Sequence, residues 1–433
     1  MTTSGTDDAP SPAEATSVSV PERRSSFRPD ARAVLLLVLL ASVLSRLVLL
    51  PKPDGALIFD EAYYVNAARI ILHLHVVPGA PYADAVPGLD PNTEHPPLGK
   101  VLIAGSMRLF GDDAFGWRIP SVAAGIAAVL LVYGVVRAVG GDRWTGTLAA
   151  ALLTFDNLAL VHSRIGSLDM MLVAFLLLGA WCALRGWPIV AGIAFALAAL
   201  VKVTGILGPA AVVLYEGVLW GWARRDAASS GSRQLRSIAS LILAFVSAWL
   251  LGLWWLDSAF SAFSSPLAHL QHIFEFGTSL TRDRVINQES YPWQWLANEV
   301  QMTYLRTDAQ IIVNGEVTGS YPVIFFRGAM NPFVIAAAPL GVGFALWRTI
   351  TARDRLGLWV VTWVAAMYLP FVVLALALHR VSYIFYFLPT LPAVAVGVAL
   401  FLRRAGLPAL VTASYLGAVL LGFVLYFPFR SFG

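Results

Sequence analysis

The fold class follows from runs such as AVLLLVLLASVLSRLVLL, residues 33–50, in which Arg46 is the only charged side chain. A helix needs about 20 predominantly apolar residues to cross a hydrocarbon layer about 30 Å thick. Similar runs occupy about 119–139, 144–162, 168–184, 188–201, 204–222, 237–256, 331–347, 357–377, 382–401 and 406–427. These eleven runs predict an all-α polytopic membrane protein, in which residues 33–433 form one transmembrane core.

The composition of the 433-residue chain supports the same class. Hydrophobic residues make up 58% and charged residues 13%, against roughly 25% charged residues in an average soluble protein. So few charges could not cover the surface of a water-soluble protein of this length. The net charge of +4 does not indicate a nucleic-acid partner, because many of the basic residues lie in short connections between apolar runs. A disulfide framework is excluded, since Cys182 is the only cysteine.

Basic residues in the short connections predict the orientation, because Lys and Arg concentrate on the cytoplasmic side of membrane proteins. Four of them precede the first run: Arg23, Arg24, Arg28 and Arg32. The Ser-, Thr- and Pro-rich residues 1–32 are therefore expected to form a disordered cytoplasmic tail. Alternating sides for eleven spans leaves two long connections outside, 51–116 and 257–330. Loops of this length are usually functional.

An acidic pair stands in the first outer loop. Phe59-Asp60-Glu61 opens a predicted helix that ends near Leu74. Adjacent residues point about 100° apart on a helix, so one carboxylate can face a reacting centre while the other orients a neighbour. Asp60 also has a purely structural alternative, because Asp is a favourable N-cap residue.

A second cluster, His95-Pro-Pro-Leu-Gly-Lys100, leads into another predicted helix of the same loop. The prolines fix the chain where it enters the helix, and a helix start favours anions. Lys100 is one of only three lysines, which makes it a candidate phosphate contact. The structural alternatives are that Lys100 snorkels to the interface and that His95 forms a local turn bond.

Further cations stand near the outer ends of the apolar runs: Arg46, Arg118, Arg164, Lys202 and Arg380. A charged side chain deep in a bilayer costs about 2.5–3.5 kcal/mol on insertion scales. Several cations around one acidic pair therefore indicate a bound anion beside a general base. A lipid-linked phosphate fits, because its tail would lie in the bilayer and its head at this level. For Arg164, a plain ion pair with Asp169 is the structural alternative.

Other kinds of site find little support in the sequence. No spacing of His, Cys, Asp and Glu is typical of a zinc site, although a divalent metal stays an open alternative. Glycine-rich nucleotide-binding loops are absent from the sequence, and no strands are expected.

The motifs occur in the order seen in the protein O-mannosyltransferases. They are Phe59-Asp-Glu-Ala-Tyr-Tyr64, His95-Pro-Pro-Leu-Gly-Lys100, Gly116-Trp-Arg118, Ser163-Arg-Ile-Gly-Ser-Leu-Asp169, Lys202-Val-Thr-Gly205 and Tyr291-Pro-Trp-Gln-Trp295. The chain resembles the bacterial members of this family, which belong to the membrane-embedded type C glycosyltransferases. The resemblance extends from about Arg46 to Pro389. Two departures bear on acceptor choice: Phe276-Gly277 stands where the family usually has Phe-His, and Val203 stands where relatives have Trp.

The resemblance implies a polyprenyl-phosphate-mannose donor and a Ser or Thr hydroxyl on a secreted or membrane protein as acceptor, with the translocation machinery as a further candidate partner. It implies that Asp60 is the catalytic base and that Glu61 contacts or orients the acceptor. Arg46, Arg118 and Lys100 would belong to the essential first-loop region. The predicted donor-phosphate contacts are Lys100, Arg118, Arg380 and His95, and the predicted supporting residues are Arg46, Arg164, Asp169, Lys202 and Tyr383.

A sugar that leaves with a phosphate needs no general acid, because the phosphate departs as a stable anion. A base and cations beside the phosphate suffice, and in-line attack inverts the anomeric configuration. A transferase that acts on a lipid or cell-wall glycan would share this donor site and is the nearest alternative. A transporter or flippase should instead place its polar residues at mid-bilayer. The Arg-rich, Lys-poor composition is typical of bacteria and predicts a plasma-membrane enzyme with its active site on the outer face.

Overall fold

A computed structural model describes residues 30–226, 231–260, 263–282, 288–314 and 316–430. Most of the predicted cytoplasmic tail, including Arg23, Arg24 and Arg28, lies outside these residues. The last positions assigned to that tail belong to the first helix, which begins at Ala31. Asp30 sets this start, because its side chain accepts a hydrogen bond from the backbone N–H of Arg32.

The described residues are mostly helical. In the first half of the chain the helices are α1 Ala31–Leu47, α2 Glu61–Ile71, α3 Leu98–Phe110, α4 Ala114–Ala138, α5 Arg143–Thr154, α6 Asn157–His162, α7 Asp169–Leu184 and α8 Pro188–Val201. The later helices are α9 Leu207–Asp226, α10 Gly231–Phe260, α11 Pro266–Ser279, α12 Pro292–Trp295, α13 Pro332–Ala352, α14 Arg355–Leu378, α15 Leu391–Arg404 and α16 Ala409–Tyr426. Two short 3₁₀ helices, Val203–Ile206 and Ile384–Phe387, complete the helical elements of the described chain.

Several of these helices are long and apolar enough to cross a membrane. By length and composition, six segments of the described chain qualify: Ala114–Ala138, Val203–Ala223, Ser232–Phe260, Pro332–Ala352, Arg355–Leu378 and Ala409–Tyr426. The other five predicted runs hold helices that are shorter, such as α7 and α8. The chain is therefore a multi-pass helical membrane protein, and the count of eleven spans stays a prediction.

The predicted second outer loop, residues 257–330, contains two β-strands, so the all-α prediction was wrong for this segment. Strands β1 Met302–Val313 and β2 Glu316–Gly328 pair antiparallel, with Met302 opposite Gly328 and Val313 opposite Glu316. The sequence carries a signal for this hairpin, because Asn-Gly between two runs rich in Val, Ile, Thr and Tyr favours a two-residue turn. Asn314 has a φ of +54°, as such a turn requires. The prediction of no strands was wrong because it rested on the apolar composition of the whole chain.

Packing of the first outer loop onto the helix bundle positions the candidate site. Helix α7 packs between α4 and α8, while α2 packs on α3 and α3 packs on both α4 and α8. The start of α2 is thereby brought to the ends of the bundle helices, where Asp169 begins α7 and Lys202 follows α8.

Candidate active site

The turn that precedes α2 is strained. Phe59 has a φ of +55°, which costs a residue other than glycine about 1–3 kcal/mol, and such strain concentrates at functional sites. Aromatic packing holds Phe59 in this conformation. Its ring stacks on that of Tyr304 with 4.1 Å between centroids, and the ring of Phe385 meets it edge-on at 5.6 Å. The turn therefore presents the next residue, Asp60, in a fixed direction.

Asp60 is half-buried, and its side chain makes no capping hydrogen bond to α2. The N-cap alternative for Asp60 is therefore wrong. Asp60 lies outside the candidate membrane-spanning helices. Its pKa is raised to about 7: burial and the neighbouring Asp169 raise the pKa, and Lys202 and a hydrogen bond with Tyr64 partly offset this. A carboxyl group with a pKa near neutrality is suited to take up a proton as a general base.

Glu61 has a different environment from Asp60. Its side chain is fully buried, and each carboxylate oxygen accepts two hydrogen bonds. Oε1 accepts from Arg118 Nε at 2.8 Å and from the N–H of Gly166 at 2.7 Å, and Oε2 accepts from Arg118 Nη2 at 2.9 Å and from the N–H of Ile58 at 2.7 Å. No acceptor position is left for a substrate. The prediction that Glu61 contacts the acceptor is therefore corrected: it fixes the turn beside it.

Arg118 is likewise fully occupied. Besides Glu61, its guanidinium donates to the backbone carbonyls of Leu50, Lys52 and Ala56 at 2.7, 3.1 and 3.1 Å. These bonds use all five of its N–H donors. Arg118 is fully buried and cannot bind a donor phosphate in this arrangement. It ties the start of the first outer loop to α4 instead, which corrects its predicted role.

Lys100 also serves the fold. Its Nζ lies 2.6 Å from Asp90 Oδ2 and 2.7 Å from the carbonyl of His95, and it donates to the carbonyl of Asn92 as well. A lysine ammonium has three donors, so none remains for a phosphate. The prediction of Lys100 as a phosphate contact is corrected, because burial forces its charge to be satisfied by the loop that precedes it. Snorkelling is excluded too, since Lys100 is fully buried.

His95 packs beside Tyr64, which forms a side-chain hydrogen bond with Asp60. Its ring faces that of Tyr64 with 6.1 Å between centroids, and its Nδ1 is buried without a hydrogen-bond partner in the described chain. Burial holds the pKa of His95 well below its usual value, and Lys202 and Lys100 lower it further. His95 is therefore neutral, and its role at the donor phosphate stays a prediction.

Lys202 is the cation whose charge acts on Asp60 and lowers its pKa. Its Nζ lies 2.9 Å from Asp169 Oδ1 and sits over the rings of Phe385 and Tyr386, 5.2 and 5.4 Å from their centroids. Asp169 uses one of the three ammonium donors. Sequence reasoning gave Lys202 only a supporting role, because the chain places it more than a hundred residues from Asp60.

Arg164 does not pair with Asp169. Its guanidinium donates to the backbone carbonyls of Ser45 and Val48, the latter at 2.7 Å. The simple ion-pair alternative for Arg164 is therefore wrong. Arg46 is fully buried in α1 and bonds the carbonyl and hydroxyl of Ser42 at 3.2 and 2.9 Å. Arg164 thereby ties the C-terminal end of α1 to the chain between α6 and α7, whereas the bonds of Arg46 stay within α1.

Arg380 keeps a free donor. Its Nε donates to the carbonyl of Gly277 at 2.7 Å and its Nη1 to that of Val381 at 3.1 Å, while Nη2 has no hydrogen bond within the described residues. The guanidinium lies over Tyr386, 5.8 Å from the ring centroid. Tyr386 also contacts Lys202, so Arg380 and Lys202 flank the same ring. Tyr383 stacks on Phe385 at 5.6 Å, beside these residues.

Sequence reasoning missed two residues of this neighbourhood. His162 Nε2 lies 2.8 Å from the hydroxyl of Tyr304, and His162 Nδ1 lies 3.4 Å from Asp169 Oδ2. His162 directly precedes the Ser163–Asp169 motif, and that position was a usable signal. Tyr304 could not be found in the same way, because the strand that carries it was not predicted. Within the ranges that the structure describes, no three His, Cys, Asp or Glu side chains are grouped to hold a metal ion.

Comparison with known sequences finds similarity to protein mannosyltransferases. Residues 94–254 match the family model described as dolichyl-phosphate-mannose-protein mannosyltransferase. The polyprenol-phosphate-mannose–protein mannosyltransferase of Mycolicibacterium smegmatis is 25% identical over 458 aligned residues, which cover 87% of this chain and 84% of the relative. The enzyme of the same name from Mycobacterium tuberculosis is 36% identical over 141 residues, covering 32% of this chain and 26% of the relative.

Solved structures show the same fold. The Saccharomyces cerevisiae Pmt1-Pmt2 complex bound to the sugar donor matches with a TM-score of 0.69 at 12% identity, covering 94% of this chain and 90% of the matched chain. ArnT from Cupriavidus metallidurans bound to undecaprenyl phosphate matches with a TM-score of 0.54 at 18% identity, covering 92% and 75%. These matches agree with the resemblance that the motifs indicate: the chain is similar in sequence to protein mannosyltransferases and shares the fold of these membrane-embedded enzymes.

Proposed function

We propose that the chain transfers a mannosyl residue from a polyprenyl-phosphate-mannose donor to Ser or Thr hydroxyls of translocated proteins. The names of its bacterial relatives support this donor and a protein acceptor. The single observation that carries the proposal is the contrast within the acidic pair. Asp60 is uncapped and faces the Lys202–Asp169 ion pair, while every acceptor position of Glu61 is filled.

In the proposed reaction Asp60 takes the proton of the acceptor hydroxyl as its oxygen attacks the anomeric carbon. The C–O bond to the phosphate breaks on the opposite side, so the configuration inverts and the polyprenyl phosphate leaves as an anion. A positioned base contributes typically 10²–10⁴-fold to such a step. The pKa of Asp60 near 7 keeps a substantial fraction ionised at neutral pH.

Lys202 and Arg380 are the proposed partners of the leaving phosphate. They replace Lys100 and Arg118, whose donors the protein itself occupies. Positive charge fixed beside developing negative charge stabilises the transition state more than the ground state. The aromatic rings of Phe385 and Tyr386 exclude water around Lys202 and thereby strengthen this interaction.

The proposed arrangement in the membrane follows the sequence prediction. Eleven spans place the N-terminus in the cytoplasm and both long loops on the outer face of the plasma membrane. Asp60 comes from the first loop and Tyr304 from the second, and both approach Phe59. An acceptor that emerges from the translocation machinery would meet the site between these loops.

The test is mannosyl transfer in membranes from labelled polyprenyl-phosphate-mannose to a Ser/Thr-containing peptide. Asp60→Asn should lower the transfer rate by about two to four orders of magnitude and leave the protein inserted and folded. Asp54→Asn is the matched control in the same loop, because Asp54 is 73% exposed and pairs with Lys52 at the surface. Transfer by Asp60→Asn at the unchanged rate would refute the base. Label found only in lipid or cell-wall glycans would refute the protein acceptor.

A further inference from the structure

We infer that Tyr304, carried by the β1–β2 hairpin, is a positioning residue for the transfer reaction: its ring sets the Phe59–Asp60 turn and its hydroxyl orients His162 toward Asp169. The inference rests on the proposed function. It adds a residue from the second outer loop to a site whose predicted base lies in the first.

The ring of Tyr304 supports the strained turn. It stacks on Phe59 with 4.1 Å between centroids and 12° between the ring planes. Phe59 holds a left-handed φ of +55°, a conformation that persists only where surrounding contacts determine it. Tyr304 is 7% exposed, so the stack is shielded from water. Any shift of this ring would shift the backbone that carries Asp60.

The hydroxyl of Tyr304 contacts His162, which lies beside Asp169. It lies 2.8 Å from His162 Nε2, and the two rings meet edge-on at 87°. His162 is fully buried, and its Nδ1 lies 3.3 Å from the Ser167 hydroxyl and 3.4 Å from Asp169 Oδ2. The Ser167 hydroxyl donates its own hydrogen to the His162 carbonyl and can accept from Nδ1, so both neighbours favour the tautomer protonated on Nδ1. Nε2 then accepts the hydrogen bond that the Tyr304 hydroxyl donates. Asp169 in turn bonds Lys202, so one chain of contacts joins the hairpin to the proposed phosphate partner.

The opposite strand makes room for this hydroxyl. A Cβ atom on Gly328 would stand 2.5 Å from Tyr304 Oη and 2.6 Å from its Cζ. Side chains almost never approach this closely, so any residue other than glycine at this position would push the ring of Tyr304. The hairpin is therefore shaped around the position of the tyrosine ring and hydroxyl.

Two substitutions separate positioning from folding. Tyr304→Phe keeps the stack on Phe59 and removes the hydrogen bond to His162. We expect kcat for transfer to fall about two- to tenfold, the range expected for one buried hydrogen bond. KM for the donor should stay within about twofold, because Tyr304 acts through other residues. Gly328→Ala should lower kcat similarly by displacing the same ring. Tyr321→Phe is the matched control, since Tyr321 lies in β2 and is 49% exposed.

The experiment measures kcat and KM in membranes together with the thermal midpoint of each purified variant. Unchanged kcat in Tyr304→Phe and Gly328→Ala overturns the inference. A rise in donor KM at constant kcat also overturns it, because Tyr304 would then bind the donor itself. If the loss of activity is fully explained by the amount of folded protein, as judged from the thermal midpoint, Tyr304 has a structural role only, and the inference is overturned as well. Absence of transfer by the unchanged protein would refute the proposed function. A transfer rate that is the same in Tyr304→Phe and in the unchanged protein would refute this inference alone.

Discussion

Replacing Glu61 by Gln should strongly destabilise the protein rather than merely inactivate it. The carboxylate accepts four hydrogen bonds of 2.7–2.9 Å, two of them from Arg118. An amide at this position turns one acceptor atom into a donor, which then faces an N–H group. It also leaves the fully buried guanidinium of Arg118 balanced only by three backbone carbonyls.

The magnitude follows from burial of the charge. Removing one partner of a buried ion pair costs about 3–5 kcal/mol, because the remaining charge stays uncompensated. A native protein has only about 5–15 kcal/mol of net stability, so this loss is a large part of the total. We expect little folded Glu61→Gln protein in the membrane and a thermal midpoint well below that of the unchanged protein.

The assay heats detergent extracts to a series of temperatures and measures the remaining folded protein by size-exclusion chromatography. Transfer activity is then measured per folded molecule. Glu275→Gln serves as the control, because Glu275 is exposed on α11 and accepts a single bond from Gln271. It should change stability by less than about 0.5 kcal/mol. A Glu61→Gln protein as stable as the unchanged one, yet inactive, would refute the reasoning and return Glu61 to a direct role in catalysis.

Three further predictions concern charge. The transfer rate should fall about tenfold per pH unit well below pH 7, because only ionised Asp60 accepts a proton and its pKa is raised to about 7, chiefly by burial. A transfer rate that stays constant down to pH 5 contradicts this prediction. Lys202→Gln should move that decline to higher pH, because Lys202 lowers the pKa of Asp60. The same substitution should lower the maximal transfer rate, and one pH profile of the variant measures both effects. Lys100→Met should leave Asp90 buried without its cation and cost about 3–5 kcal/mol in a thermal unfolding assay, whereas Lys52→Met at the 51% exposed surface pair should cost under about 1 kcal/mol.

The predicted phosphate site failed at Lys100 and Arg118 for a common physical reason. A sequence shows that a charge sits near a span end, but it does not show which acceptors surround that charge after folding. Both residues are fully buried, and burial requires each donor to find a partner. The first loop supplied those partners from its own carbonyls and from the carboxylates of Asp90 and Glu61, so the two cations became part of the fold.

The sequence by itself determined the membrane class, the approximate positions of the apolar helices and the resemblance to a family, because apolar run length and local motifs are properties of contiguous residues. It also singled out the Asp60–Glu61 pair without separating the two roles. Only the tertiary structure decided that every acceptor position of Glu61 is filled while Asp60 makes no capping bond. It also decided that Tyr304 stacks on Phe59 and that Lys202 lies over Phe385, the second ring against Phe59. These outcomes depend on contacts between segments far apart in the chain, such as Glu61 and Arg118, 57 residues apart, which the spacing of residues along a chain does not encode.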